Sequence, residues 1–250
     1  MEPLSNDSVV ISLDETASTN LKLKQLLKEK SLTEGSIVKT DFQTQGRGQA
    51  GNSWFSGKGC NLLFSCLLYP KFVIANQQFI ISRIVSLALK EVLDQYMKSI
   101  SIKWPNDIYW KDKKIAGMLI ENSLIGKQIE FSIVGVGLNV NQDDFPLQLP
   151  NPISMKQVMG VEYNRDELLA TFSDVLFSLY QSLQQGDGQS IEQKYLQQLY
   201  RNEGFHWYED DNGRFKAKIK DVLPTGHLIL ETLIGEEKRK YAFKEVSFVL

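Results

Sequence analysis

The sequence predicts an α+β protein in which a mixed, largely antiparallel sheet is flanked by helices and followed by a small β domain. Two observations predict this arrangement. A polar turn at Lys111–Lys113 joins two strand-like segments directly, which breaks the regular strand–helix alternation of a doubly wound fold. After Glu203, short strand-like segments separated by turns replace the helical patterns. We therefore predict one domain over residues 1–202 and a second over residues 203–250.

The first domain is expected to begin with a strand at Val9–Leu13, followed by a helix with a leucine repeat. Hydroxyl and amide side chains at Ser18–Asn20 are typical caps for such a helix. Ser36–Gln43 is predicted to be β-structure. Asn61–Leu68 is almost continuously apolar, which is typical of a strand covered on both faces.

The clearest predicted helix is Gln77–Met97, because its apolar residues recur at helical spacing. The strands predicted after it are Ile100–Trp104, Asp107–Trp110, Lys114–Glu121 and Gln128–Val136, and a loop follows over Asn139–Pro152.

Asn164–Glu167 resembles a capping box before a second long helix, which Gly186–Gly188 ends. Ser190–Leu199 is predicted to be a shorter amphipathic helix. The second domain has predicted strands at Arg214–Val222, His227–Leu233 and Lys238–Phe243, a spacing that indicates a small β-barrel.

The composition is that of a globular protein, with 42% hydrophobic and 23% charged residues. A net charge of -2 argues against a general nucleic-acid binder. No apolar run approaches the roughly 20 residues that span a bilayer, and Met1–Ser8 lacks the features of a signal peptide. We therefore expect a cytoplasmic protein without a membrane partner. Cys60 and Cys66 are predicted to be buried free thiols, since no common zinc pattern has their spacing.

The first chemical motif is the glycine loop, defined here as residues 46–54, Gly-Arg-Gly-Gln-Ala-Gly-Asn-Ser-Trp. Its glycines allow the backbone to approach a ligand, and Arg47 offers a forked, charge-assisted contact to an anion. The loop is neither a Rossmann fingerprint nor a Walker A motif. An ordinary surface loop with a solvated arginine, closed by a packed Trp54, remains the alternative.

The second motif is Lys103-Trp104-Pro105-Asn106-Asp107. Lys103 stands at a predicted strand end just before the proline, where its compact charge can stabilise negative charge in a transition state. Asp107 is a candidate Mg²⁺ ligand and Asn106 can orient a substrate. A solvated strand end is the alternative. Two cations beside flexible backbone indicate chemistry on a carboxylate or a phosphate.

Three further segments offer polar contacts. Thr19 and Asn20 can hydrogen-bond a ligand from a helix N-terminus, although capping alone also explains them. Gln43 can do the same from a strand end. The two glycines of Gly135–Asn139 permit close approach of a ligand and make Asn139 a candidate contact, although a β-bulge explains them equally well.

The order and spacing of these motifs, together with Lys114–Glu121, closely resemble those of the biotin protein ligases. The resemblance covers nearly the whole chain. It implies a biotin/lipoate ligase-like catalytic domain with a C-terminal SH3-like β-barrel. It also implies a two-step reaction, in which biotin and Mg-ATP give biotinyl-5′-AMP and a lysine of a biotin carboxyl carrier protein domain then takes the biotinyl group.

The resemblance also implies roles for individual residues. Lys103 and Arg47 would be catalytic. The implied biotin contacts are Ser18, Thr19, Asn20, Gln43, Gly46, Arg47, Gly48, Gln49, Lys103 and Gly117. The implied nucleotide contacts are Arg47, Trp54, Asn106 and Asn139. Asp107 and Asn139 are the candidate ligands of the Mg²⁺ that accompanies ATP.

The chain departs from the family pattern at two places. Gln49 and Asn52 stand where the family loop often has arginine, so the loop is less positive. The first strand begins near Val9, which leaves no room for the helix-turn-helix domain of some relatives, so we expect no DNA binding. A weak homodimer through sheet edges is expected from the relatives. The alternatives are a lipoate or octanoate ligase or transferase of the same fold, and a non-catalytic biotin or nucleotide sensor.

Overall fold

The computed structural model describes residues 8–249. The prediction that Met1–Ser8 lacks the features of a signal peptide concerns residues that, apart from Ser8, lie outside this range. The helices are α1 Thr19–Glu29, α2 Phe79–Asp94, α3 Met155–Met159, α4 Arg165–Gln184 and α5 Gly188–Gln197. The strands of the first sheet are β1 Val10–Thr16, β2 Ile37–Gln43, β3 Leu62–Leu68, β4 Ile100–Lys103, β5 Asp107–Trp110, β6 Lys113–Ile125 and β7 Gln128–Leu138. The strands of the second sheet are β8 His206–Asp210, β9 Gly213–Val222, β10 Leu228–Thr232, β11 Lys238–Tyr241 and β12 Ser247–Phe248.

The first sheet has the order β1-β2-β3-β7-β6-β5-β4. The β1–β2 pair is parallel and the other neighbouring pairs are antiparallel. The predicted polar turn joins β5 to β6 as a hairpin, with Trp110 opposite Lys113. The predicted α+β fold with a mixed, largely antiparallel sheet is therefore confirmed.

Strand β3 is buried on both faces, as its apolar run predicts. Phe64 packs edge-to-face against Phe172 of α4, with ring centroids 5.2 Å apart. Leu67 points to the other face and joins a separate cluster with Leu23 of α1 and Val38. Full burial of each such side chain stabilises the fold by about 1.5–3 kcal/mol. Thus α2, α4 and α5 cover one face of the sheet, and α1 covers part of the other.

The two predicted helix caps have different outcomes. Asn164 caps α4 as predicted, because its side chain accepts hydrogen bonds from the backbone N–H groups of Asp166 and Glu167. Ser18 precedes α1, but its side chain makes no capping bond. The first N–H of α1, that of Thr19, instead donates to the side-chain oxygen of Gln43 at 2.8 Å. A residue from a neighbouring strand therefore replaces the local cap that we predicted.

The C-terminal β domain is an antiparallel sheet with the order β11-β10-β9-β8-β12. The sequence analysis did not predict β8 or β12, whose segments are short. The predicted closed barrel is not seen in residues 203–249, because β11 and β12 lie at opposite ends of the sheet. The physical reason is the length of β12, whose two residues pair with β8 only.

Several contacts join the β domain to the first domain. The indole N–H of Trp104 donates to the carbonyl of Gly226 at 2.8 Å. Arg83, which is 2% exposed, donates from α2 to the carbonyl of Val222 and pairs with Glu192 of α5. These contacts fasten the β domain beside the segment that carries Lys103. Within residues 8–249, no helix is both long and apolar enough to cross a membrane.

The prediction that the two cysteines are buried free thiols is confirmed in part. Both are free, but Cys60 is only partly buried. Burial raises the pKa of the Cys66 thiol to about 12, so this thiol is neutral and unreactive at physiological pH.

Candidate functional site

A cavity of about 530 Å³ brings most of the predicted site residues together. It lies between the N-terminus of α1, the glycine loop, one face of β6 and β7, and residues of the C-terminal β domain. The predicted residues that line it are Ser18, Thr19, Asn20, Gln43, Arg47, Gly48, Gln49, Trp54, Lys103, Asn106, Asp107 and Gly117. Gly46 and Asn139 are not among the lining residues.

Gly46 lies at the base of the glycine loop. Its carbonyl accepts a hydrogen bond from the N–H of Trp54 at 2.9 Å. A Cβ atom at this position would lie 2.3 Å from the Trp54 carbonyl oxygen, which is closer than real Cβ contacts. Farther along, the N–H of Gly48 donates to the carbonyl of Asn52 at 2.7 Å. Gly46 is therefore required for closing the loop on itself.

Asn139 is buried at the end of β7, with 3% of its surface exposed. Its side-chain amide donates to the carbonyl of Ile153 at 3.1 Å. Its Oδ1 atom is buried and has no hydrogen-bond partner among the described residues. The observed contacts of Asn139 hold the loop after β7 in place.

One end of the cavity, which we call the head end, is built by Thr19, Asn20 and Gln43 around the buried Ser65. The Ser65 hydroxyl lies 2.7 Å from Thr19 Oγ1 and 2.6 Å from Asn20 Oδ1. The Asn20 amide donates to the carboxylate of Glu121 at 2.8 Å. Sequence reasoning missed the parts played by Ser65 and Glu121. The available signal for Ser65 was a hydroxyl in an otherwise apolar strand.

Register explains why these groups meet. Ser65 of β3 pairs with Gly135 of β7, and Gly135 pairs with Leu119 of β6. A Cβ atom on Gly135 would lie 2.2 Å from Asn20 Oδ1, so the glycine makes room for the Asn20 side chain. We call Ser65, Gly135 and Leu119 the head row of the sheet.

The neighbouring row carries the charged end of the cavity. Gly137 of β7 pairs with Gly117 of β6, Gly117 with Asp107 of β5, and Asp107 with Lys103 of β4. We call these four residues the charged row. Paired residues of antiparallel strands point to the same face, so all four face the cavity. The two rows are two residues apart along β7, or about 7 Å.

Trp54 lies over the charged row. Cβ atoms on Gly137 and Gly117 would lie 2.4 Å and 2.9 Å from its indole ring. Its Nε1 atom is buried without a hydrogen-bond partner among the described residues. The two glycines therefore provide the space that the indole fills.

Lys103 is held between two aromatic rings. Its Nζ atom lies 4.7 Å from the ring centroid of Tyr109 and 5.3 Å from that of Phe248, which belongs to β12 of the C-terminal domain. It also donates to the Tyr109 hydroxyl at 3.0 Å. These contacts orient the amine without neutralising it. Sequence reasoning missed Tyr109 and Phe248, and no sequence signal connected Phe248 to a lysine so far away.

Two other cations that line the cavity, Lys114 and Arg47, lie near carboxylates, whereas Lys244 donates to the carbonyl of Ala50. Lys114 lies 2.6 Å from Asp107 Oδ1, and Arg47 lies 3.8 Å from Glu121 Oε1. Among the described residues, no carboxylate forms an ion pair with Lys103, so its charge is available to an incoming anion. At an effective dielectric constant near 20, a unit charge at 4 Å from an anion is worth about 4 kcal/mol.

Comparison with known proteins gives the family. The family model described as the biotin/lipoate A/B protein ligase family matches residues 12–139, which contain both motifs. The chain belongs to this family. The match covers half of the chain and ends at the last residue of the Gly135–Asn139 segment.

Relatives within the family are biotin protein ligases. The chain is 33% identical over 223 residues to biotin–protein ligase 1, chloroplastic, of Arabidopsis thaliana, covering 84% of this chain and 58% of the relative. It is 27% identical over 244 residues to the bifunctional ligase/repressor BirA of Bacillus spizizenii, covering 90% of this chain and 70% of the relative. The chain thus spans 58–70% of the length of these two relatives.

Among solved structures, the biotin protein ligase from Aquifex aeolicus in complex with biotin and ATP matches with a TM-score of 0.78 and 26% identity. The match covers 96% of this chain and 97% of that one, including the C-terminal β domain. The resemblance to biotin protein ligases that the motifs predicted is confirmed.

Proposed function

We propose that this protein is an ATP-dependent ligase that activates biotin as biotinyl-5′-AMP and transfers it to a specific lysine of a biotin carboxyl carrier protein domain. One observation carries the proposal. A single cavity joins a hydrogen-bonding head end to Lys103, whose charge has no carboxylate partner within residues 8–249. The similarity to the Aquifex ligase in complex with biotin and ATP supports both substrates.

In the first step, a carboxylate oxygen of biotin attacks the α-phosphorus of ATP, and pyrophosphate leaves with the electrons of the broken P–O bond. Two anions must approach one another, so positive charge at the point of contact lowers the barrier. Lys103 is oriented for this role by Tyr109 and Phe248. Arg47 lies 3.8 Å from Glu121 and would have to turn from it to reach the phosphate.

In the second step, the neutral amine of the acceptor lysine attacks the acyl carbon, and AMP leaves. The adenylate hydrolyses in water, so cover over the cavity protects it. The glycine loop and the C-terminal domain supply this cover, and Lys244 joins them by donating to the carbonyl of Ala50 at 2.9 Å.

The head end favours biotin over lipoate or octanoate. Thr19, Asn20 and Gln43 would offer polar atoms to the ureido group of biotin, whereas a dithiolane ring or an alkyl end would give these atoms no partner. A site built to hydrogen-bond its substrate discriminates strongly against analogues that lack the bonding group.

Trp54 and Asn106 remain the proposed nucleotide contacts. The Asn106 side-chain amide donates one hydrogen to the carbonyl of Met118 at 2.7 Å, so its oxygen and its second amide hydrogen are left for a ligand. Asn139 stays a proposal that would require a rearrangement to reach the nucleotide, since its side chain is buried.

The described residues of the site could hold Mg²⁺ only together with the phosphates of ATP, as the counter-ion of the nucleotide. Groups of three or more acidic, histidine or cysteine side chains that could hold a metal do not occur within residues 8–249. Asp107 is the one proposed ligand that lines the cavity, and it is paired with Lys114. Mg²⁺ commonly binds through substrate phosphates with one or two carboxylates.

The cytoplasmic location and the homodimer stay predictions. In the first sheet, β1 and β4 are the edge strands that such a dimer would use.

The test is ATP–pyrophosphate exchange with biotin, lipoate or octanoate as the acid, in the wild type and in Lys103→Ala. We expect exchange with biotin alone, and a fall of about 10²–10³-fold in the variant. Exchange with lipoate or octanoate alone would assign the chain to the other branch of the family. A wild type that binds biotin without exchange would support the non-catalytic sensor.

A further inference from the structure

Ser65 is a completely buried hydroxyl in the middle of β3, with 0% of its surface exposed, and it does not line the cavity. We propose that Ser65 is a positioning residue that sets the hydrogen-bond polarity of the head end, and thereby the selectivity for an acid that carries a ureido group. This inference rests on the proposed function and assigns its specificity to a residue behind the cavity wall.

The orientation of the Asn20 side-chain amide follows from its hydrogen-bond partners. Its Nδ2 atom donates to the carbonyl of Leu119 at 3.1 Å and to the carboxylate of Glu121 at 2.8 Å. Both partners can only accept, so both amide hydrogens are used and Nδ2 must face them. The Oδ1 atom therefore faces Ser65, whose hydroxyl is the donor at 2.6 Å.

The orientation of the Thr19 hydroxyl follows from its partners in the same way. Its Oγ1 atom accepts from Ser65 at 2.7 Å and donates to Gln43 Oε1 at 3.3 Å. The backbone N–H of Thr19 donates to the same oxygen at 2.8 Å. The Ser65 hydroxyl has one proton, which it shares between Thr19 Oγ1 and Asn20 Oδ1 as a three-centre hydrogen bond. Because Thr19 Oγ1 accepts from Ser65, its own hydrogen is directed towards Gln43 Oε1.

The Gln43 amide nitrogen is the group of the head end that remains free for a ligand. Because both Thr19 donors use Gln43 Oε1, the free end of that amide is Nε2, for which no hydrogen bond is seen within residues 8–249. The head end therefore offers a fixed donor. A ureido carbonyl can accept from it, whereas a dithiolane or an alkyl chain cannot.

Replacing Ser65 with alanine removes the proton on which this arrangement depends. Thr19 Oγ1 and Asn20 Oδ1 would lose their donor at buried positions, which favours rotation of Thr19 away from Gln43. The ligand-facing amide of Gln43 would then keep only its bond from the backbone N–H of Thr19 and would be held less firmly. The effect should fall on binding of the head group, since Lys103 lies in the other row of the sheet.

The chain offers a closely matched control in Ser132. This serine is also 0% exposed, lies in β7 of the same sheet, and donates to an asparagine, Asn122 Oδ1, at 2.7 Å. It does not line the cavity. Ser132→Ala therefore removes an equivalent buried bond without touching the head end.

The experiment measures KM and kcat of pyrophosphate exchange in wild type, Ser65→Ala, Ser65→Cys and Ser132→Ala. The acids are biotin, dethiobiotin, which keeps the ureido group without the thioether ring, and octanoate. In Ser65→Ala we expect KM for biotin and dethiobiotin to rise about 10- to 100-fold with kcat unchanged. Ser65→Cys, similar in shape but a weak donor, should behave like Ser65→Ala, and Ser132→Ala like wild type.

Exchange by the wild type tests the proposed function, and the KM and kcat of the variants test the role of Ser65. A wild type without biotin-dependent exchange would overturn both. With an active wild type, an unchanged KM in Ser65→Ala, or an equal rise in Ser132→Ala, would overturn the role of Ser65 alone. A lower kcat at unchanged KM would also overturn it, and so would full rescue by Ser65→Cys, which would indicate packing rather than proton donation.

Discussion

The head end and the charged end of the cavity lie about 7 Å apart along β7, yet they are organised in opposite ways. At the head end, Asn20, Thr19 and Ser65 satisfy one another, and a backbone N–H orients Gln43. At the charged end, Lys103 has aromatic rings and a hydroxyl around it, but it forms no ion pair with any carboxylate of the described residues. The head end is therefore prepared to recognise a neutral polar group, whereas the charged end gains stabilisation only when an anion arrives.

Two glycines allow this division to be tested directly, and they give the largest expected effects. Gly135→Ala would place a Cβ atom 2.2 Å from Asn20 Oδ1, so Asn20 must leave the head end. We expect KM for biotin to rise more than about 100-fold, because Asn20 and its partners lose their bonds together. KM for ATP should change little.

Gly137→Ala is the matched change in the charged row, where the Cβ atom would lie 2.4 Å from the Trp54 indole. We expect displacement of Trp54, a shift in tryptophan fluorescence and a higher KM for ATP. Exchange kinetics with each substrate varied in turn would measure both effects. Equal effects of the two variants on both substrates would contradict the separation of the two ends.

Phe248→Leu should produce an intermediate effect. It removes one ring beside Lys103, and such a contact is worth about 0.5–2 kcal/mol. We expect kcat of exchange to fall about 2- to 30-fold, with KM for biotin unchanged. Phe215→Leu is the control, since Phe215 belongs to the same aromatic cluster of the C-terminal sheet through Tyr208.

A fall in kcat for both phenylalanine variants would mean that the substitution disturbs the packing of the domain rather than Lys103. Thermal unfolding of both variants would identify such a loss of stability.

The smallest expected effect concerns the glycine loop. Gln49 lines the cavity at a position where the family resemblance implies an arginine. Gln49→Arg adds a positive charge near the adenylate, and a partly exposed ion pair is worth about 0.2–1 kcal/mol. We expect release of biotinyl-5′-AMP to slow by about 1.5- to 5-fold, measured by rapid filtration. Unchanged release would contradict the idea that the missing positive charge at this position leaves adenylate retention to backbone N–H groups and Arg47.

The sequence predicted most of the elements, and most of the site residues that it predicted line the cavity, because periodicity and glycine or proline positions are local properties. It predicted a local cap for α1, whereas Gln43 from β2 takes that place. It predicted a closed barrel, but strand pairing depends on partners that short segments do not reveal. It did not find Ser65, Glu121, Tyr109 or Phe248, whose importance comes from contacts with residues elsewhere in the chain.

The amino-acid order by itself determined the α+β class, the glycine loop, the lysine before the proline and the family resemblance. Each of these depends on residues close together in the chain, where spacing is a direct guide to geometry. Only the tertiary structure decided that Ser65, Gly135 and Leu119 form one row and that Gly137, Gly117, Asp107 and Lys103 form the next. Strand register brings these distant residues together, and a shift of one residue would turn each side chain to the opposite face.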